Sequence, residues 1–197
     1  MANNAGTLTG VLIMNKPAGF TSHDVVAKLR GILKTRRIGH GGTLDPMATG
    51  VLPVFVGGAT RAADFAAAQD KEYEAGFSLG FSTDTQDTTG ETLQESGKTA
   101  TAEEVEAALH GFLGPQEQIP PMYSAIKIDG KKLCDLARRG VEVERPARPV
   151  TIHAIELLSF DAATQKGAFR VVSSKGTYVR TIVHDLGQRL GCFGAMH

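Results

Sequence analysis

Apolar and polar positions along the chain fall into short runs, some with the period of a strand and some with that of a helix. Gly10 to Asn15 reads Gly-Val-Leu-Ile-Met-Asn, a short buried strand. Thr21 and Asp24 then form a capping-box-like start, and Val25, Val26, Leu29, Ile32 and Leu33 follow at helical spacing. Val51 to Val56 is apolar and β-prone, and the alanine-rich stretch 59–69 predicts a helix. Residues 71–80 alternate, with Tyr73, Ala75, Phe77 and Leu79 on one face of a half-buried strand. Thr101 and Glu104 open a further helix through Phe112. Met122 to Ile128 predicts a strand, Asp129-Gly130 a turn, and Lys131 to Arg139 a helix that Gly140 ends. Strands follow near 150–158 and 168–173, and a last helix carries Val179, Ile182, Val183, Leu186 and Leu190. Hairpin-length connections favour an α+β domain with a mixed, largely antiparallel sheet flanked by helices. No internal repeat or low-complexity linker interrupts it.

Composition narrows the class. The 197 residues suit one substantial domain or one and a half small ones, and 42% hydrophobic residues suit a globular core. The apolar runs are too short for a membrane span, and Met1 to Gly10 has no signal-peptide pattern. Cys134 and Cys192 have no paired spacing, so a reducing compartment, the cytoplasm, is expected. The 21 basic and 21 acidic residues balance to zero, which taken alone argues against a nucleic-acid partner. The distribution is uneven, though. Lys28, Arg30, Lys34, Arg36 and Arg37 form one basic cluster, and Lys131, Lys132, Arg138, Arg139, Arg145 and Arg148 form another. Acidic residues gather between Asp84 and Glu106. One face can be basic while the whole is neutral; solvated helix faces are the plainer alternative.

The candidate chemistry sits in residues 38–50, Ile-Gly-His-Gly-Gly-Thr-Leu-Asp-Pro-Met-Ala-Thr-Gly. Here a carboxylate, Asp45, is followed by the rigid Pro46 and preceded by glycines that let another molecule approach the backbone. The loop lacks the Gly-Lys-Ser/Thr ending of a phosphate-binding loop and is not a dinucleotide fingerprint. The histidines and cysteines show no metal-ligand spacing. Thr83-Asp84-Thr85-Gln86-Asp87 lacks the closing glutamate of a calcium loop and reads, from residue types, as a polar turn. No serine–histidine–aspartate arrangement stands out.

Five ordered segments carry a resemblance. They are Asn15-Lys16-Pro17; Gly39-His40-Gly-Gly-Thr-Leu-Asp45-Pro46; Lys71-Glu-Tyr73-Glu with Leu79-Gly80 and Thr83 to Gly90; Pro120 to Lys127; and Lys175-Gly-Thr-Tyr178-Val-Arg180-Thr with His184 to Gly187. From about residue 10 to residue 192 the chain resembles the TruB family of tRNA pseudouridine synthases. The resemblance implies the pseudouridine synthase catalytic fold. It also implies isomerisation of the T-loop uridine at position 55 of tRNA, without cofactor or metal. The partner is tRNA, with no guide RNA and no membrane, and a monomer is expected. Family members continue past this point with an apolar strand and an arginine-rich stretch, and many carry a PUA-type RNA-binding domain. The resemblance therefore implies that residues 1–197 are a catalytic domain truncated at its C-terminal end, without the PUA-type domain.

The same resemblance assigns roles. Asp45 is the catalytic carboxylate, as nucleophile, as base, or as stabiliser of the positive charge on the ribose. Arg180 keeps that carboxylate ionised. Tyr73 stacks on the flipped base and helps remove the C5 proton, and Tyr178 is a second pocket residue. His40 fills the space that the base vacates. Lys16 either supports the loop around Pro17 or touches RNA, with support ranked first. Two alternatives accompany this reading: a non-catalytic tRNA-binding or folding module on the same scaffold, and the catalytic subunit of a guide-RNA ribonucleoprotein.

Overall fold

The computed structural model describes residues 8–197. Of Met1 to Gly10, residues 1–7 lie outside that range. The chain divides into two compact units, residues 1–69 and 70–197.

The first unit contains β1 (Gly10–Lys16), α1 (Ser22–Leu33), β2 (Ile38–His40), β3 (Gly50–Val56) and α2 (Ala63–Ala67). Its sheet is antiparallel in the order β1-β3-β2. Leu52, Val54 and Val56 of β3 share one core cluster with Val25, Val26 and Leu29 of α1. The start of α1 follows from its sequence. Asp24 N–H donates to Thr21 Oγ1 at 3.0 Å, and Thr21 N–H donates to the Asp24 carboxylate at 2.9 Å. This reciprocal pair satisfies donors that a helix start otherwise leaves without partners. The expected helix over 59–69 is not continuous. Gly57–Ala62 is a 3-10 turn and only Ala63–Ala67 is α-helical, neither with a side-chain cap. Alanine propensity alone does not offset the cost of nucleating so short a helix.

The second unit contains β4 (Lys71–Leu79), β5 (Phe81–Thr83), β6 (Thr92–Glu95), α3 (Ala102–His110), β7 (Gly114–Gln118), β8 (Lys127–Ile128), β9 (Lys131–Lys132), α4 (Leu133–Ala137), β10 (Arg148–Asp161), β11 (Lys166–Ser173), α5 (Val179–Leu190) and β12 (Gly194–Met196). Five strands form an antiparallel sheet in the order β12-β4-β11-β10-β7, and β5–β6 and β8–β9 are two-stranded ribbons. The alternation of β4 places Ala75, Phe77 and Leu79 in the core, with Tyr73 packed at its margin. Phe77, Phe169 and Val171 are fully buried there, together with Val105 and Leu109 of α3 and Ile182, Val183 and Leu186 of α5. The predicted α+β class and antiparallel sheet are the observed ones.

Two further local expectations change, and two strands lie where none was expected. Of Met122 to Ile128, only Lys127–Ile128 is strand, paired with Lys131–Lys132 across the Asp129-Gly130 turn. Pro120 and Pro121 lie just upstream, and the segment's carbonyls serve α4 instead. Leu133 N–H donates to Ile126 O at 2.8 Å, and Cys134 N–H to Ser124 O at 3.0 Å. The helix expected from Lys131 to Arg139 therefore shrinks to α4, because its first two residues belong to the ribbon. β7 and β12 carry no apolar alternation; they are strands because β10 and β4 offer them edges.

α5 and β12 approach so closely that a Cβ at Gly187 would lie 2.1 Å from the Phe193 carbonyl carbon and 2.2 Å from Gly194 N. Backbone cannot yield as a side chain does. Gly187→Ala is therefore expected to destabilise the protein by about 1–3 kcal/mol despite alanine's better helix propensity. Urea denaturation checks this, and a midpoint at or above the parent's contradicts it.

Candidate active site

In the first unit, residues 38–50 leave β2, cross a loop and enter β3. Gly41 N–H donates to Pro53 O at 2.9 Å. A Cβ on Gly41 would lie 2.9 Å from both Phe55 Cε2 and Ala66 Cβ, so glycine is what lets the backbone pass there. The loop is then held on both sides of Asp45. Ser22 Oγ, buried in the first turn of α1, accepts from Leu44 N–H at 2.9 Å and lies 3.3 Å from Leu44 O. On the other side, Pro46 O accepts from Gly19 N–H at 2.8 Å and from Lys16 Nζ at 3.2 Å. Asp45 itself is half-buried, and its carbonyl accepts from Ala48 N–H at 3.1 Å. The carboxylate thus sits on backbone fixed at its neighbours, as a reacting group requires.

Lys16 is 0% exposed. Besides Pro46 O, its ammonium donates to Pro17 O at 2.9 Å and Phe20 O at 2.6 Å. Its three N–H groups thus meet three main-chain carbonyls, the geometry of a loop brace. Burial pushes its pKa below the ordinary lysine value, and the Asp45 carboxylate offsets part of that shift. His40, at the end of β2, is half-buried, and its Nδ1 is enclosed without a hydrogen bond.

The other sequence candidates lie in the second unit. Tyr73 is half-buried on β4, opposite Val171. Tyr178 is the residue before α5. Arg180, in the first turn of α5, is 6% exposed. Its Nη1 lies 3.3 Å from Thr85 O and 3.9 Å from the Asp87 carboxylate, and its guanidinium is 5.9 Å from the centre of the Tyr178 ring. Asp87 is itself buried. Its Oδ1 accepts from Thr85 Oγ1 at 2.8 Å, Thr89 N–H at 3.0 Å and Thr89 Oγ1 at 2.5 Å. Thr181 Oγ1 donates to Gln86 Oε1 at 2.7 Å. The loop 83–90, a polar turn by residue type, is in three dimensions the support of Arg180.

Two residues in or beside this loop have no individual role in the sequence reading. Asp87 lay inside a segment rejected as a calcium loop, and the threonines around it were the available signal. Tyr123 lay in the Pro120 to Lys127 segment with no role attached. The Asp84 side chain beside its phenol, with burial and the negative charge of Glu91, holds its pKa above the ordinary value. Among the described residues no group of three or more His, Cys, Asp or Glu side chains is arranged to hold a metal ion. None of their helices is long and apolar enough to cross a membrane.

Comparison with known proteins bears on this arrangement. Residues 30–179 match the family model "TruB family pseudouridylate synthase (N terminal domain)". The chain is 51% identical over 190 residues to tRNA pseudouridine synthase B of Bacillus cytotoxicus, covering 93% of this chain and 62% of that protein. It is 48% identical over 189 residues to the protein of the same name from Fusobacterium nucleatum, covering 96% and 65%. The chain thus spans about 62% of the length of such a relative. Among solved structures, a Cbf5-Nop10-Gar1 complex contains a chain that matches with a TM-score of 0.73 at 31% identity, over 95% of this chain and 46% of that one. A chain in an H/ACA RNP bound to a substrate RNA containing 2'-deoxyuridine matches with a TM-score of 0.69 at 28% identity, over 95% and 45%.

Lys16→Met keeps the side chain's length but removes all three donors. It is expected to cost about 2–4 kcal/mol in urea denaturation, because carbonyls of the loop lose their partner. An unchanged midpoint would show that the brace is dispensable. In an alkaline ultraviolet titration, one of the three tyrosines is expected to ionise above the ordinary phenol value. That component should vanish in Tyr123→Phe and move down in Asp84→Asn, and its persistence in Tyr123→Phe contradicts the assignment.

Proposed function

The chain belongs to the TruB family of pseudouridylate synthases, and we propose that it converts the T-loop uridine at position 55 of tRNA to pseudouridine. The observation that carries this reading is the braced Asp45: a half-buried carboxylate whose neighbours Leu44 and Pro46 are tied by Ser22 and Lys16. Relatives about half identical over nearly the whole chain, each named for activity on tRNA, support the substrate.

The reaction is an isomerisation. The C1'–N1 bond breaks, the uracil turns, a C1'–C5 bond forms, and the proton on C5 leaves while N1 gains one. No atom enters or departs overall. Asp45 answers the positive charge that develops at C1' as the base leaves, by attacking C1', by taking a sugar proton, or by electrostatic stabilisation. Arg180 contributes a fixed positive charge that keeps the catalytic carboxylate ionised. Tyr73 supplies an aromatic face for the flipped uracil and a hydroxyl for the C5 proton, and Tyr178 lines the base pocket. His40 takes the place left by the base in the RNA stack. Lys16 serves through the loop that it braces. Lys131, Lys132, Arg138 and Arg139 are exposed around α4 and suit phosphate contacts.

The likeness to chains from H/ACA complexes favours a second reading, the catalytic subunit of a guided ribonucleoprotein. An unmodified tRNA transcript without guide RNA separates the two. Product at the T-loop uridine supports the stand-alone enzyme. Product only with a guide RNA supports the second reading, and tRNA binding without product supports a non-catalytic module. Asp45→Asn is expected to lower turnover on the order of 10⁴-fold while tRNA affinity changes only a few-fold. Loss of binding in step with turnover contradicts the catalytic assignment.

A further inference from the structure

Gln118, the last residue of the edge strand β7, is buried at 6% exposure. A glutamine is seldom enclosed unless its amide is used, and here both ends are used on one residue. Gln118 Oε1 accepts from Tyr178 N–H at 2.8 Å, and Gln118 Nε2 donates to Tyr178 O at 3.1 Å. The two bonds have opposite polarity, so only one orientation of the amide satisfies both. A side chain therefore does for Tyr178 what a neighbouring strand does for a residue in a sheet.

Tyr178 has need of it. β11 ends at Ser173 and α5 begins at Val179, so the intervening residues belong to no ladder. Tyr178 is the residue preceding the helix, and its side chain makes no capping hydrogen bond. Its carbonyl also accepts from Thr181 N–H at 3.1 Å and Ile182 N–H at 3.3 Å, so its placement sets the first turn of α5. Arg180 lies in that turn. The other end of the linker is tied as well: Ser174 N–H donates to Thr151 O at 2.9 Å, and Thr151 N–H to Ser174 Oγ at 2.9 Å. Both ties come from the β7–β10 edge, in register through the Arg148–Gln118 and Thr151–Pro115 pairs.

We propose that Gln118 is a positioning residue for the reaction. Its carboxamide holds the Tyr178 backbone, and through it the Tyr178 ring and the Arg180 guanidinium. This rests on the reading of Tyr178 and Arg180 as groups that act on the uridine.

The structure supplies its own control. Gln165, 8% exposed, clamps Ala100 in the same manner, accepting from its N–H at 2.8 Å and donating to its carbonyl at 2.9 Å. Gln118→Leu, Gln118→Glu and Gln165→Leu are compared by single-turnover conversion of a tRNA transcript, by tRNA affinity, by thermal unfolding and by backbone hydrogen exchange. Gln118→Leu is expected to slow conversion about 10- to 100-fold with affinity nearly unchanged. It should speed exchange at Tyr178 and the first turn of α5 but not at Ala100. Gln118→Glu keeps the shape but sets a buried carboxylate oxygen against the Tyr178 carbonyl, and should slow conversion at least as much as Gln118→Leu. Gln165→Leu should speed exchange at Ala100 and convert tRNA at the parent rate. Undiminished protection of Tyr178 in Gln118→Leu overturns the proposal, as does a rate loss no larger than that of Gln165→Leu at equal thermal stability. A parent protein that makes no product overturns the functional reading instead, and the exchange data then still decide whether Gln118 holds Tyr178.

Discussion

An ammonium withdrawn from water needs an acceptor for each of its three N–H groups, and Lys16 finds them on the carbonyls of Pro17, Phe20 and Pro46. The first unit is organised around that requirement. β1 delivers the lysine because its register on β3 sets Lys16 opposite Gly50. The chain then turns through Pro17 to Phe20 into α1, whose first residue, Ser22, ties down Leu44. The strand pair that closes the core and the helix that covers it thus both end in polar contacts to one loop. Apolar packing places the regular elements, and the buried polar side chains transfer that rigidity to Asp45.

The second unit meets the same problem with a second buried cation. Arg180 is enclosed at the start of α5, and loop 83–90 answers it with the Thr85 carbonyl and the Asp87 carboxylate. Asp87 is tolerable there because Thr85 and Thr89 supply its hydrogen bonds. Thr88 N–H and Gln86 O each bond Met196, which joins the loop to β12. β12 in turn reaches the sheet only because Gly187 leaves room beside α5.

Asp45 and Tyr178 lie on irregular segments, and in each unit a distant side chain replaces the missing ladder. Ser22 on Leu44, Gln118 on Tyr178 and Gln165 on Ala100 are three cases of one device. Each is a buried polar group matched in polarity to a peptide unit that has no strand beside it. Such contacts add little net stability individually, yet leaving any of them unpaired is expensive, so they specify conformation more than they stabilise it.

Much of this was legible along the chain. The caps of α1 and α3 lie within four residues of the helices they start, the alternation of β4 lies within nine, and the Asp45 loop is a contiguous string. Signals of that range depend on adjacent residues alone, and the resemblance added roles to residues already in view. What the sequence could not show are the partnerships made across it. Gln118 meets Tyr178 over 60 positions, and Arg180 meets Thr85 over 95. β7 and β12 have no pattern of their own and are strands because other strands offer edges. The segment from Met122 to Ile128, apolar enough to predict a strand, instead gives the carbonyls of Ser124 and Ile126 to α4. Periodicity and capping, which are local, were determined by the sequence itself. Which buried polar group answers which peptide was decided only when the chain folded, because hydrogen-bond partners are chosen by proximity in space.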